Sequence, residues 1–230
     1  MPGEWSRRNP SEVAAPEPGE LHLWRIRLDQ GEMHGDGECG DALSPSEQLK
    51  ASRFRIPSDG RRWARARGVV RSILGGYLGL EPAGVLFASG THGKPRLANN
   101  NALQLCFNVS HSGSWAMLGI ASGCELGVDV ERLRPELDVT ALARIALPIA
   151  AQEALAAAEG SSRTLQFFRA WTRHEAQLKC IGSGFRVPAV PLEPRTIVED
   201  VSIGPGYAAA VAVAVGPGTT VLHGSQWEWT

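Results

Sequence analysis

The stretch "LGVDVERLR", Leu126 to Arg134, is short, apolar and β-branched, yet it carries two acids separated by one residue. In an extended strand successive side chains point to opposite faces, so Asp129 and Glu131 share a face, roughly 6.5–7 Å apart. Two carboxylates on one face of a strand that otherwise reads as buried repel each other and are costly to desolvate. The pattern asks for a cation.

Upstream of this strand, "LHLWRIRLD" (Leu21–Asp29) alternates apolar and polar residues and reads as a half-buried strand. "GEMHGDGECGD" after it reads as a loop. Ser46 to Arg53 reads as a short helix led by Ser44 or Ser46 in "SPSEQ". A longer helix is expected from Ser58 or Asp59 to about Gly79. Its apolar stripe is Trp63, Ala66, Val70, Ile73, Leu74 and Tyr77, with Arg62, Arg65 and Val69 on the flank. Short strands follow in "VLFAS", "LQLCFNVS", "WAMLGIA" and "CELGVDVE", separated by turns such as "THGKPRL" and "HSGS".

Downstream, residues 138–158 read as helical and a strong helix spans Ser161 to Ile181, with Gly182 and Gly184 as its stop. "TIVEDVSI", "YAAAVAVAV" and "TVLHG" read as closing strands. The order predicts an α+β fold of two halves of similar build, residues 20–124 and 125–230, after a disordered Pro-, Glu- and Gly-rich tail at 1–19.

Composition narrows the function classes. Hydrophobic residues make up 43% and charged residues 20% of the 230, and the net charge of −1 gives no sign of a nucleic-acid or membrane-surface binder. Cys39, Cys106, Cys124 and Cys180 lack metal-ligand spacing and read as reduced thiols, which points to the cytoplasm. No apolar run reaches membrane-spanning length.

The helix "FFRAWTRHEAQLKCIGSGF" brings Glu175 and Lys179 four residues apart, on the border of a stripe formed by Phe167, Ala170, Trp171, Leu178 and Ile181. Alone, such a pair is an ordinary surface ion pair. Together with Asp129 and Glu131 it makes three acids without Cys or His partners, which suits a hard cation such as Mg²⁺. Mg²⁺ commonly completes its shell with substrate phosphate and water, and the sequence offers phosphate contacts in Arg62, Lys94 and the pair Ser110–His111. Ser110 and His111 are strand neighbours facing apart, so they read as anion donors and not as a nucleophilic dyad. On spacing alone a structural His111 bonded to a carbonyl stays open.

The blocks "RFRIPSDGRRWARARGVVRSILGGYLG", "GKPRL", "FNVSHSG", "LGVDVE", "WTRHEAQLKCIGSGF" and "GYAAAVAV" closely resemble, in order and spacing, those of the surfactin-synthetase-type 4′-phosphopantetheinyl transferases. The resemblance covers roughly residues 45–215. It implies two α/β subdomains related by a pseudo-twofold axis, with coenzyme A in the cleft between them, usually within one monomer. It also implies the reaction: phosphopantetheine passes from coenzyme A to a serine of an apo acyl, peptidyl or aryl carrier protein, and adenosine 3′,5′-bisphosphate leaves.

Carried over residue by residue, the resemblance makes Asp129, Glu131 and Glu175 ligands of Mg²⁺ (or Mn²⁺). Glu175 is also the candidate general base, and Lys179 reaches the pyrophosphate. Arg62 and His111 meet the 3′-phosphate, Lys94 and Pro95 flank the adenine and ribose, and Ser110 bonds a phosphate. Lys50 and Arg53 add positive charge upstream. The family usually has lysine where this chain has His174, which implies a stronger dependence of activity on pH. Two other readings use the same residues: a Mg²⁺-dependent nucleotide pyrophosphate hydrolase, and a non-catalytic coenzyme A-binding module.

Overall fold

Caps and apolar spacing place the helices. The computed structural model describes residues 5–29, 42–90, 93–98, 102–158, 160–182, 195–216 and 223–229. Helix α1 (Pro45–Ser52) starts at Ser44, whose side chain accepts from the Glu47 amide while the Glu47 carboxylate accepts from Ser44 N, a reciprocal capping box. Helix α2 (Pro57–Leu78) opens on a proline and stops at Gly79, whose φ of 64° few other residues tolerate. Helices α3 (Val139–Ala146) and α4 (Ile149–Ala156) are short, and α5 (Gly160–Ile181) has the same 22 residues as α2. Gly182, with φ 72°, ends α5 by donating to the Leu178 carbonyl. Gly184 lies outside the described residues.

The described strands form three sheets. Five strands, β1 (Ser6–Arg7), β10 (His223–Trp229), β2 (Glu20–Arg27), β6 (Trp115–Ser122) and β5 (Leu105–Ser112), lie side by side in that order. A second sheet orders β7 (Leu126–Arg132), β9 (Tyr207–Ala214) and β8 (Thr196–Asp200), all antiparallel. A small ribbon pairs β3 (Phe87–Ser89) with β4 (Pro95–Leu97).

Alternation then sorts the side chains into layers. One face of the first sheet (Trp24, Ile26, Phe107, Leu118, Ile120) packs on Val69, Val70, Ile73 and Leu74 of α2. Its other face (Leu21, Leu23, Met117) meets Leu126, Val128, Val130, Val211 and Val213 of the second sheet. The outer face of that sheet, through Ala210 and Ala212, receives Ala176 and Cys180 of α5. The molecule is thus a mixed α+β stack of helix, sheet, sheet and helix. Val69, expected on the helix flank, is fully buried, whereas Trp63 is only half-buried.

Two expectations are corrected. Residues 5–19 do not hang free as a tail: Trp5 donates to the Ser202 carbonyl at 2.6 Å, and buried Pro10 packs on Gly76 of α2. Proline and tryptophan supply apolar area that solvent does not hold. Nor does the division at residue 125 hold for the last strand. Described over His223–Trp229, it inserts parallel between β1 and β2 of the first sheet, while residues 220–222 of the "TVLHG" reading lie outside the described residues. Its Trp227 packs on Trp24 and His22 with ring centres at 5.1 and 4.6 Å, which draws the strand into the first core. The loop reading for "GEMHGDGECGD" lies outside the described residues. No described helix is long and apolar enough to cross a membrane.

Candidate active site

Strand β7 turns Leu126, Val128 and Val130 into the core between the sheets, so Gly127, Asp129 and Glu131 face the other way, toward α5. Gly127 is what lets the helix come close. A methyl group there would run into the Ala176 carbonyl and the Cys180 amide. That approach puts Lys179 against Asp129, with Nζ 2.6 Å from Oδ1, 3.1 Å from Ser110 Oγ and 3.3 Å from the Val128 carbonyl.

Asp129 is 4% exposed and also accepts from Ser110 Oγ at 2.9 Å. Its second oxygen, Oδ2, is buried with no hydrogen-bond partner among the described residues. An orphaned carboxylate oxygen of this kind is destabilising by itself, and a cation is a partner that would offset that cost. Burial pushes the Asp129 pKa up, although Lys179 and Ser110 favour its anion. Glu131 is half-buried, accepts from Ser112 Oγ at 2.9 Å and has Arg134 4.0 Å away. Its pKa is raised by burial and then by Asp129.

Glu175, one turn before Lys179, is 6% exposed. Burial raises its pKa first; the charges of Asp129 and Glu131 raise it further, and Lys179 opposes them. Three acids therefore press on one another around one lysine, a set of hard oxygen donors without sulfur or nitrogen. Among the described residues no three His, Cys, Asp or Glu side chains already converge as a ready metal cluster.

Beyond Ser110, a cavity of about 610 Å³ opens between α1, α2, β5 and the β3–β4 ribbon. Lys50, Trp63, Arg67, Phe87, Pro95 and His111 line it. Lys50 Nζ lies 4.8 Å from the Trp63 ring centre, and the Arg67 guanidinium 3.6 Å from that of Phe87. Glu47, buried, ties Arg67 and Arg71 together as an acceptor for both guanidinium groups. Its carboxyl is pushed up by burial but ends below the usual range through Ser44 N, Arg67 and Arg71. His111 stands at the cavity's edge. Partial desolvation lowers its pKa, Lys179 and Lys50 add to this, and Asp59 opposes.

The structure brings together most, not all, of the residues singled out from sequence. Ser110, Asp129 and Lys179 form one hydrogen-bonded unit with Glu131 and Glu175 beside it, and His111 and Pro95 line the adjoining cavity. Lys94 does not line that cavity. Its ammonium is tied to Glu125 Oε2 at 2.6 Å, the Leu126 carbonyl at 2.9 Å and the Cys180 carbonyl at 3.4 Å. Arg62 pairs with Asp59 at 3.3 Å, and Arg53 is exposed at the end of α1; neither lines the cavity. His174 points into a groove with Pro148, Ala151 and Arg173 between α4 and α5, and burial lowers its pKa. It is 8% exposed and turns away from Glu175 by helical phase.

Sequence reasoning passed over Ser112, Arg67 and Arg71. Ser112 had a signal in the alternation Asn108, Ser110, Ser112 on one strand face. The two arginines had none, because their roles depend on which ribbon lies opposite α2.

Comparisons with known proteins follow the same segments. The family model described as 4′-phosphopantetheinyl transferase, N-terminal, matches residues 38–123, and that of the 4′-phosphopantetheinyl transferase superfamily matches residues 125–206. The chain is similar to 4′-phosphopantetheinyl transferase HetI of Nostoc sp., 39% identical over 182 residues that cover 76% of each chain. It is 32% identical over 142 residues to a putative 4′-phosphopantetheinyl transferase of Synechocystis sp., covering 62% of this chain and 58% of the relative. With 4′-phosphopantetheinyl transferase Sfp of Bacillus subtilis it shares 24% identity over 196 residues, 75% of this chain and 82% of the relative.

Proposed function

This chain belongs to the 4′-phosphopantetheinyl transferase superfamily, and from that premise we propose that it transfers phosphopantetheine from coenzyme A to a serine of an apo carrier protein. The observation that carries the reading is the orphaned Oδ2 of buried Asp129 beside Glu131 and Glu175, with Lys179 held across from them. The donor set fits Mg²⁺, or Mn²⁺ in its place, held by Asp129, Glu131 and Glu175. A divalent ion bound there would offset the negative charge gathering on the pyrophosphate oxygens.

The protein's own groups do the rest. The carrier serine oxygen forms a bond to the β-phosphorus of coenzyme A, and the bond from that phosphorus to the bridging oxygen breaks, releasing adenosine 3′,5′-bisphosphate. Glu175 takes the serine proton, directly or through a water, and its raised pKa makes it a better base than a solvated glutamate. Lys179, held by three oxygens, presents its charge to the pyrophosphate without a search for position. Ser110 bonds a phosphate. The 610 Å³ cavity suits the nucleotide end, with Trp63 and Pro95 as apolar walls and Lys50, Arg67 and His111 as anion partners. Arg62 and Arg53 would add charge at its rim toward the 3′-phosphate, and Lys94 would support the adenine end from the β4 side.

In this reading the halves divide the labour: residues 20–124 take the nucleotide and 125–216 the acids, related by a pseudo-twofold axis. A 22-residue helix packed on antiparallel strands in each half supports that symmetry. We place the reaction in the cytoplasm, in a monomer; the free thiols of Cys106, Cys124 and Cys180 support a reducing compartment.

The test is intact mass spectrometry of apo acyl and peptidyl carrier proteins incubated with this protein, coenzyme A and Mg²⁺. A gain of one phosphopantetheine, abolished by chelator, is expected. Cleavage of coenzyme A without any carrier would identify a hydrolase, and bound coenzyme A without transfer to any carrier a binding module.

A further inference from the structure

Edge strand β5 of the first sheet runs beside edge strand β7 of the second, although the two belong to separate sheets. Side chains bridge them. Asn108 Oδ1 accepts from Val128 N at 2.9 Å, Ser110 Oγ from Val130 N at 3.4 Å, and Ser112 Oγ from Arg132 N at 3.1 Å. Each rung joins residues 20 apart, so the two strands run parallel in one fixed register.

The two serines have a second use. A hydroxyl has one hydrogen to donate and two lone pairs to accept with. Ser110 donates its hydrogen to Asp129 Oδ1, and Ser112 donates to Glu131 Oε2, each at 2.9 Å. Ser112 with Glu131 therefore repeats the unit of Ser110 with Asp129, one rung further along. The difference is the lysine: Nζ of Lys179 also grips Ser110 and Asp129, whereas the only ion pair of Glu131 among the described residues is a 4.0 Å contact with half-exposed Arg134. Ser112 is thus the short contact of the Glu131 carboxylate, made to the same Oε2 that stands 4.0 Å from Arg134.

We infer that Ser112 is a positioning residue of the transferase site, orienting Glu131 toward the divalent ion while its acceptor side locks β7 to β5. The inference rests on the reading under Proposed function. Outer partners of this kind, when removed, commonly weaken metal affinity by about 10–100-fold.

The experiment compares Ser112→Ala, Ser112→Cys and Ser112→Thr with the unsubstituted protein, measuring Mn²⁺ binding by electron paramagnetic resonance with coenzyme A present, alongside transfer kinetics. Cysteine keeps the volume but donates weakly, and threonine keeps the hydroxyl. The Cys variant is expected to bind Mn²⁺ roughly 10-fold more weakly, with a rise in the metal concentration for half-maximal transfer and little change in KM for coenzyme A. The Thr variant is expected to stay near the unsubstituted protein, and Ala to behave as Cys or worse. Mn²⁺ binding by the Cys variant equal to that of the unsubstituted protein, or a Thr variant as weak as Cys, overturns the inference. Failure of the underlying reading looks different: the unsubstituted protein itself would not modify a carrier.

Discussion

Glu175 and His22 are both buried titratable groups, and they answer to different chemistry. Glu175→Gln keeps the shape but removes the charge and the base. Carrier modification is expected to fall by about 10²-fold or more, read by mass spectrometry over time. The protein should unfold no earlier than its parent in a thermal scan without metal, since one of three mutually repelling carboxylates is gone. Near-normal transfer would remove Glu175 from its role. His22 is held neutral: Trp24 Nε1 donates to the Tyr77 hydroxyl, 2.9 Å from His22 Nδ1, so the chain is satisfied when Tyr77 donates to the imidazole. Burial pulls its pKa from 6.5 to about 4, with Glu20 at 3.8 Å opposing weakly. The unfolded chain takes up a proton near 6.5 that the folded one refuses until about 4. Stability is therefore present above pH 6.5 and lost as the pH falls toward 4, by roughly 3 kcal/mol at most. Urea midpoints across this window should flatten in His22→Gln; an unchanged slope would assign the loss to other groups. At this scale the sequence told which acids share a face, because alternation is local. It did not tell that Glu125 would take Lys94, because that depends on how distant segments meet.

Between elements, the decisive contact is α5 on β7, and it rests on Gly127. Gly127→Ala is expected to push the helix off the strand and cost about 1–3 kcal/mol or more, seen as a clear drop in melting temperature with transfer lost in parallel. A variant with both intact would mean that the helix can slide without disturbing Lys179 and Asp129. The long elements were legible: α2 was expected from Ser58 or Asp59 to Gly79 and runs Pro57–Leu78, since a proline start, a glycine stop and apolar spacing agree. The seam between β5 and β7 was not legible. Its rungs run from side chain to backbone, and alternation shows only that Asn108, Ser110 and Ser112 face one way, not which strand waits there.

For the molecule as a whole, β10 stitches the two halves. Arg25 and Glu228, 2.6 Å apart, join residues 203 positions distant, and Trp227 closes the ring cluster on Trp24. Removing residues 223–229 is expected to abolish a single cooperative thermal transition by exposing β2 as an edge; a sharp transition within a few degrees of the parent would show that the strand only decorates the sheet. The α+β class was readable from the order of elements, but the return of the last strand was not, since nothing local in "HGSQWEW" names its neighbours. That return has a consequence for how the protein is made. At about 5–20 residues per second, the ribosome needs roughly 10–40 s between delivering β2 and delivering the strand that covers it. For that interval the nascent chain carries an open, tryptophan-bearing edge, so the yield of sound protein in a cell should depend on chaperone supply and growth temperature more than its final stability would suggest.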